Sequence, residues 1–187
     1  MEDSSEGMYE AYLINNRIVV FDVDKGRELY RHGFYGKFVG IRKAKTFDIQ
    51  RPLELTLFEA LYLCRKGLLK VKRIDGKELS EKDLQRIGQE TYENFDIVFR
   101  VYYDLREKGY VVKSGMKFGA TFAVYEHGPG IDHAPFLVHV IPYREKLDPI
   151  EIVRAGRLSH SVRKKFVIAT VSTQTKKTLY YAFKWFE

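Results

Sequence analysis

The sequence predicts an α/β protein with mixed sheets. A small N-terminal α/β domain (residues 1–88) precedes a C-terminal α/β domain (residues 89–187) whose central mixed sheet is flanked by helices. Three observations carry this expectation. Helix-start signals alternate with short β-rich runs, the hydrophobic period switches towards two after Gly109, and the composition is that of a folded chain. Of 187 residues 45% are hydrophobic and 30% charged, with 14 Gly and 5 Pro, enough apolar side chain for a core without staples.

In the N-terminal domain, Tyr9–Asp22 alternates loosely about Asn15-Asn16, a turn-prone pair, and reads as a two-stranded hairpin. Asp24–Arg31 follows as a short helix closed by Gly33. The glycine-punctuated run Gly33–Gly40 reads as a strand leading into a surface loop at Arg42-Lys43-Ala44-Lys45. Thr56 with Glu59 has the form of a capping box and Gly67 that of a C-terminal stop, framing a helix over Leu57–Lys66. Ser80 with Asp83 is a second start signal. Gln89–Gly109 reads as a longer helix with Val98, Val101, Tyr102 and Leu105 on one face, and the break near Gly88 marks the domain boundary.

Beyond Gly109, Tyr110–Lys113, Phe118–Tyr125 and Phe136–Ile141 read as three strands. Asp148-Pro149-Ile150-Glu151 supplies an N-cap, a proline at the first helical position and an acid at N3, opening a helix towards Ser161. Phe166–Val171 and Thr178–Phe186 are the last two strands, so this half reads α-β-β-β-α-β-β.

The lone cysteine, Cys64, excludes an internal disulfide and a cysteine-based zinc site, and reads as a core thiol in a reducing compartment. With no long apolar run and an acidic start, Met-Glu-Asp-Ser-Ser-Glu, the expectation is a soluble cytoplasmic protein. Net charge is +7, distributed as +2 over residues 1–92, −2 over 93–151 and +7 over 152–187. The concentrated positive field of the last segment favours a polyanion such as nucleic acid, although many unrelated proteins share such a surface.

Phosphate-loop, dinucleotide and metalloprotease patterns are absent, and Gly128-Pro129-Gly130 leads into a strand, as a turn does. Of the five histidines, His32, His127, His133, His139 and His160, no pair has metalloprotease spacing, and His139 reads as a mid-strand core residue. His133 stands at the entry to a strand, across the loop Glu126–Asp132 from Tyr125 at the exit of the preceding one. If those strands are neighbours, the two proton-transfer groups share one rim. Arg163-Lys164-Lys165, at the start of the next strand, either brings a cation to that rim or is a solvated helix C-terminus favoured by the macrodipole.

The run Tyr103-Asp104-Leu105-Arg106-Glu107-Lys108-Gly109-Tyr110-Val111-Val112-Lys113-Ser114-Gly115-Met116-Lys117-Phe118-Gly119 resembles the opening of the catalytic domain of archaeal tRNA-intron endonucleases. Phe122–Tyr125, Asp132-His133-Ala134 and Arg157–Lys165 resemble its later motifs in order, over about the last 85 residues, and Leu57–Leu63 extends the likeness loosely into the N-terminal part. The resemblance implies a nuclease-like fold and metal-independent, cofactor-free cleavage of precursor RNA at bulge-helix-bulge junctions, leaving 2′,3′-cyclic phosphate and 5′-hydroxyl ends. It implies Tyr125 as general base, His133 as general acid and Lys164 as the cation on the pentacoordinate phosphate. Arg157 corresponds to an arginine that clamps a splayed base, and Trp185 is the expected second stacking partner.

Attack by a 2′-oxygen on its own phosphate is intramolecular, so only acid, base and charge stabilisation remain to be supplied. Two departures bear on partners. Ile41–Gln50 looks like an insertion, where Lys43 and Lys45 either touch the RNA backbone or are simply solvated. The turn Ser172–Lys177 lacks the acidity of the loop that docks homotetrameric members, which favours an α2β2 heterotetramer with a degenerate paralogue over a homotetramer. Thr178–Phe186 would pair across the dimer. A non-catalytic RNA-binding or assembly subunit is the competing reading.

Overall fold

The computed structural model describes residues 8–44, 46–131, 134–150, 152–153, 156 and 164–182. Two compact units, Met1–Tyr92 and Glu93–Glu187, divide the chain. Gly88, the break read from sequence, lies four residues before that division.

In the first unit, β1 (Tyr9–Ile14) and β2 (Arg17–Val20) form the expected hairpin, with Asn15 at φ 53° in the turn. Helix α1 (Val23–Gly33) is capped by the Asp22 carboxylate, which accepts from the Lys25 N–H. Phe34 rather than Gly33 takes the left-handed position at its end. Burial against Tyr30 and Phe47, with ring centroids at 5.4 and 5.7 Å, holds that unfavourable backbone in place. The strand expected over Gly33–Gly40 shrinks to β3 (Lys37–Phe38) because Gly36 and Gly40 both turn to positive φ.

After β4 (Leu53–Leu55), helix α2 (Leu57–Arg65) starts at the Thr56/Glu59 capping box. Next come β5 (Leu69–Arg73), β6 (Glu78–Leu79) and α3 (Glu81–Thr91), the last starting at the Ser80/Asp83 box. The sheet order is β3-β4-β2-β1-β5-β6, with β1 and β5 parallel. Cys64 is half-buried, and burial pushes its thiol up to about 12, consistent with a packing role.

The second unit opens with α4 (Phe95–Glu107). The helix expected over Gln89–Gly109 starts too early, inside the last turn of α3. Tyr92 is extended and Asn94 left-handed, and together they break it. Phe95, Phe99, Val101, Tyr102 and Leu105 form the buried face, so Phe99 takes the place expected for Val98. The second sheet runs β11-β10-β9-β8-β7, with β7 (Val111–Ser114), β8 (Phe122–Tyr125), β9 (Phe136–Val140), β10 (Lys165–Val171) and β11 (Thr178–Ala182). Only the β9–β10 pair is parallel.

The expected strand Phe118–Tyr125 starts late: Phe118 ends a 3-10 turn, Met116–Phe118, residues 119–121 turn or bend, and β8 begins at Phe122. Between β9 and β10, the Asp148 carboxylate accepts from the Ile150 N–H at 2.8 Å, as an N-cap does, and helical residues follow. At the edge, the Tyr180 phenol donates to Asp104 at 2.6 Å and ties β11 to α4; burial, then this hydrogen bond, push the phenol's pKa up. Among the described residues no helix is long and apolar enough to cross a membrane.

The two capping boxes differ in burial. Glu59, 2% exposed, accepts from the Gly36 N–H, the Thr56 N–H and the Thr56 hydroxyl at 2.8–2.9 Å. Asp83 does similar work in water. Glu59→Ala should therefore cost roughly 2–4 kcal/mol in urea denaturation, and Asp83→Ala distinctly less. Equal losses would refute the burial argument.

Candidate active site

Strand β9 organises the site. Antiparallel pairing with β8 sets Ala123 opposite Leu137 and Val124 opposite Phe136, while parallel pairing with β10 sets Lys165 opposite Phe136 and Phe166 opposite Leu137. One step further along each ladder, Tyr125 and Lys164 fall on either side of Pro135, whose carbonyl accepts from the Lys165 N–H at 2.9 Å. Two strand spacings, about 10 Å, then separate their backbones.

Alternation of side chains decides the face. Tyr125 shares the side of Ala123, and Lys164 the side of Phe166; both are the side of Leu137. There the buried cluster Ala120, Ala123, Ala134, Leu137, Phe166 and Ile168 forms a floor, with Phe118 and Tyr125 packed on it. On the opposite face Tyr102 of α4 meets Phe122, with ring centroids 5.8 Å apart. The site face is thus the side of the sheet away from α4.

The Lys164 ammonium donates to the Ala134 carbonyl at 2.7 Å and stands 5.6 Å from the Phe118 ring centroid. A carbonyl dipole and an aromatic face both favour a cation, offsetting part of the hydration it loses at this half-buried position. Lys117 brings a second ammonium to 4.7 Å from the same centroid. Lys165 turns to the other face, its Nζ 5.7 Å from the Phe136 ring centroid. Lys165 is the first residue of β10 and Lys164 immediately precedes it.

Among the sequence candidates, Tyr125 and Lys164 meet at one rim. His133 lies outside the described residues, as do Arg157, Trp185 and Lys45; the next residue after His133 is Ala134, whose carbonyl accepts from the Lys164 ammonium. Lys43 is exposed on the loop between β3 and β4. His139 is only half-buried, on the site face, where it stacks on Phe166 at 6.4 Å. Sequence reasoning missed Phe118 and the Ala134 carbonyl. The glycines at 115 and 119, which bracket Phe118, were the available signal. An open groove in the first unit, lined by Leu13, Asn16, Arg73, Ile74, Ile87 and Glu90, contains none of the candidates.

Comparison with known proteins identifies both halves of the chain. Residues 9–85 match the profile of the tRNA intron endonuclease, N-terminal domain, and residues 95–181 that of the tRNA intron endonuclease, catalytic C-terminal domain. The chain is 47% identical to a tRNA-splicing endonuclease of Hyperthermus butylicus over 178 residues, 95% of this chain and 98% of the relative. A Saccharolobus islandicus tRNA-splicing endonuclease is 46% identical over 179 residues, covering 95% and 98%. One from Pyrobaculum aerophilum is 47% identical over 177 residues, covering 93% and 97%. With both domain profiles matched in order and near-complete relatives at this identity, the chain belongs to the tRNA intron endonuclease family, and the sheet that carries Tyr125 and Lys164 is its catalytic domain.

Proposed function

We propose that this chain is the catalytic subunit of a tRNA-splicing endonuclease that cuts precursor tRNA at bulge-helix-bulge junctions without a metal, acting in the cytoplasm. The observation that carries the reading is the register of β8, β9 and β10, which brings Tyr125 and Lys164 to one rim next to the strand entry that follows His133. Tyr125 removes the proton of the 2′-hydroxyl. The 2′-oxygen then forms a bond to the neighbouring phosphorus as the bond to the 5′-oxygen breaks, and His133 protonates the departing oxygen. Lys164 faces the negative charge that accumulates on phosphorus, and the same ammonium favours the phenolate of a tyrosine, a poor base at its reference pKa near 10. Arg157 and Trp185 hold a splayed bulge base between a guanidinium plane and an indole.

Chelator-treated enzyme should cut a bulge-helix-bulge RNA. Lys164→Ala should slow it about 10²–10³-fold, and His133→Ala or Tyr125→Phe about 10²–10⁴-fold. A 2′-deoxy sugar at the junction should abolish the cut. Cleavage of the deoxy substrate would exclude the mechanism, and RNA binding without cleavage by the parent in its native assembly would leave the non-catalytic subunit as the reading.

The loop between β3 and β4 supports a backbone contact by Lys43 and Lys45. Phe47 packs on Tyr30 and Phe34, with centroids 5.9 and 5.7 Å away, and Asp48 pairs with Arg27 of α1. These anchors hold the loop against α1. Among the described residues no acid pairs with the exposed Arg42 or Lys43, whereas Lys72, Arg17 and Lys70 on the sheet pair with Glu10, Glu54 and Glu78. Lys43→Ala should weaken RNA binding several-fold and reduce the slope of log affinity against log salt by about one. An unchanged slope would remove Lys43 from the interface.

The assembly we favour is α2β2. The exposed turn after β10 carries Lys176 and Lys177 and no acid, so an acidic docking loop has to come from another chain. Among the described strands β11 is the edge of its sheet, the position from which a strand can pair across a dimer. Native mass spectrometry of the endogenous enzyme should find two subunit types; four identical chains would establish the homotetramer instead.

A further inference from the structure

Phe118 reaches the rim on a turn built around two glycines. The Gly115 N–H donates to Thr121 at 3.0 Å, and the Gly115 carbonyl accepts from the Phe118 and Ala120 N–H groups at 2.8 and 3.2 Å. A Cβ at Gly115 would lie 2.7 Å from the Phe122 carbonyl carbon and 2.9 Å from the Ala120 oxygen, both backbone atoms. Gly119 closes the turn at φ +65°, in the left-handed region. The ring is thereby seated on the buried floor of the site.

For packing alone, any apolar side chain of that size would serve. The surroundings ask for more. Two ammoniums, Lys164 at 5.6 Å and Lys117 at 4.7 Å, lie within cation–π range of this one ring. A lysine ammonium on a four-carbon stem at a sheet rim otherwise samples many rotamers, and a catalytic cation gains from having that freedom removed beforehand. The ring and the Ala134 carbonyl constrain Lys164 from two directions.

We propose that Phe118 is a positioning residue, its π face acting with the Ala134 carbonyl to hold the Lys164 ammonium at the rim beside Tyr125. The inference rests on the reading of Lys164 as the cation that meets the scissile phosphate. Lys117 shares the ring and strengthens the positive field there.

The test replaces Phe118 in the native assembly with mono-, di- and trifluorophenylalanine, which nearly preserve shape while draining the negative face of the ring, and with Tyr and Leu. Single-turnover cleavage and RNA affinity are measured in parental and Lys164→Ala backgrounds. Rates should fall stepwise with fluorination to about a tenth, with RNA affinity unchanged. Phe118→Tyr should retain the parental rate, and fluorination should have no effect once Lys164 is gone. A flat fluorination series in an enzyme that Lys164→Ala impairs would overturn the proposal, as would equal slowing in both backgrounds. Parental cleavage by Lys164→Ala would instead overturn the reading of Lys164. Phe118→Leu is interpreted only if it folds; the fluorinated series decides without it.

Discussion

Strand β9 pairs antiparallel with β8 on one side and parallel with β10 on the other, and the site depends on that double register. Because side chains alternate, a slip of one residue on either ladder would turn Tyr125 or Lys164 to the α4 face. Burial makes such slips expensive. Val124, Leu137, Val138 and Phe166 are all at most 6% exposed, and a slip would exchange the side chains packed on the site floor for those packed against α4. The packing of the catalytic sheet is therefore also what aims its polar ends.

In the proposed mechanism the strand ends bear the chemistry, which reconciles a dry sheet with charged side chains. Lys164 immediately precedes β10, two residues before the buried Phe166 begins to cover the floor, so its stem can follow apolar surface while its ammonium reaches a carbonyl and a ring. The first unit handles charge differently. Its sheet face matches Lys72, Arg17 and Lys70 with acids, leaving that face electrically quiet, and pairs exposed to this degree contribute little to stability. Among the described residues the loop cations Arg42 and Lys43 have no such match, so their field extends into solvent. Basic residues are thus numerous in both units, but their availability to a polyanion is decided by the acids beside them.

Features encoded within a few residues were legible in the sequence, and those created by tertiary pairing were not. Both capping boxes and the Asn15-Asn16 turn were legible because the groups that bond are at most three residues apart. Leu69–Arg73 does alternate, leucine and valine inward and lysines outward, yet its pairing is with β1, far back in the chain, and a five-residue run shows little by itself. The break between α3 and α4 was placed near Gly88, a few residues early, because Asn94, without a neighbouring Gly or Pro, takes the left-handed conformation. At the site, the residue types were legible through family resemblance. The Ala134 carbonyl was not, since every residue carries one and only folding chooses which of them meets an ammonium. Phe118 was mistaken for strand because aromatic propensity outweighed the glycines that frame it.

The placement of Tyr125 and Lys164 at strand ends fits the proposed reaction. A nucleophile supplied by solvent would have to be captured, oriented and shielded, which calls for a deep cavity or a lid. A 2′-oxygen is tethered to the phosphate it attacks, so the protein needs only to splay the strand, move two protons and stabilise charge. Those tasks need side chains arranged along a line, and the ends of adjacent strands provide one at spacings near 5 Å. What such a rim cannot supply by enclosure is rigidity of its longest side chain. A fixed ring beneath the Lys164 ammonium provides that rigidity locally, which is why the glycine-framed turn before β8 belongs to the chemistry of the site as much as to its packing.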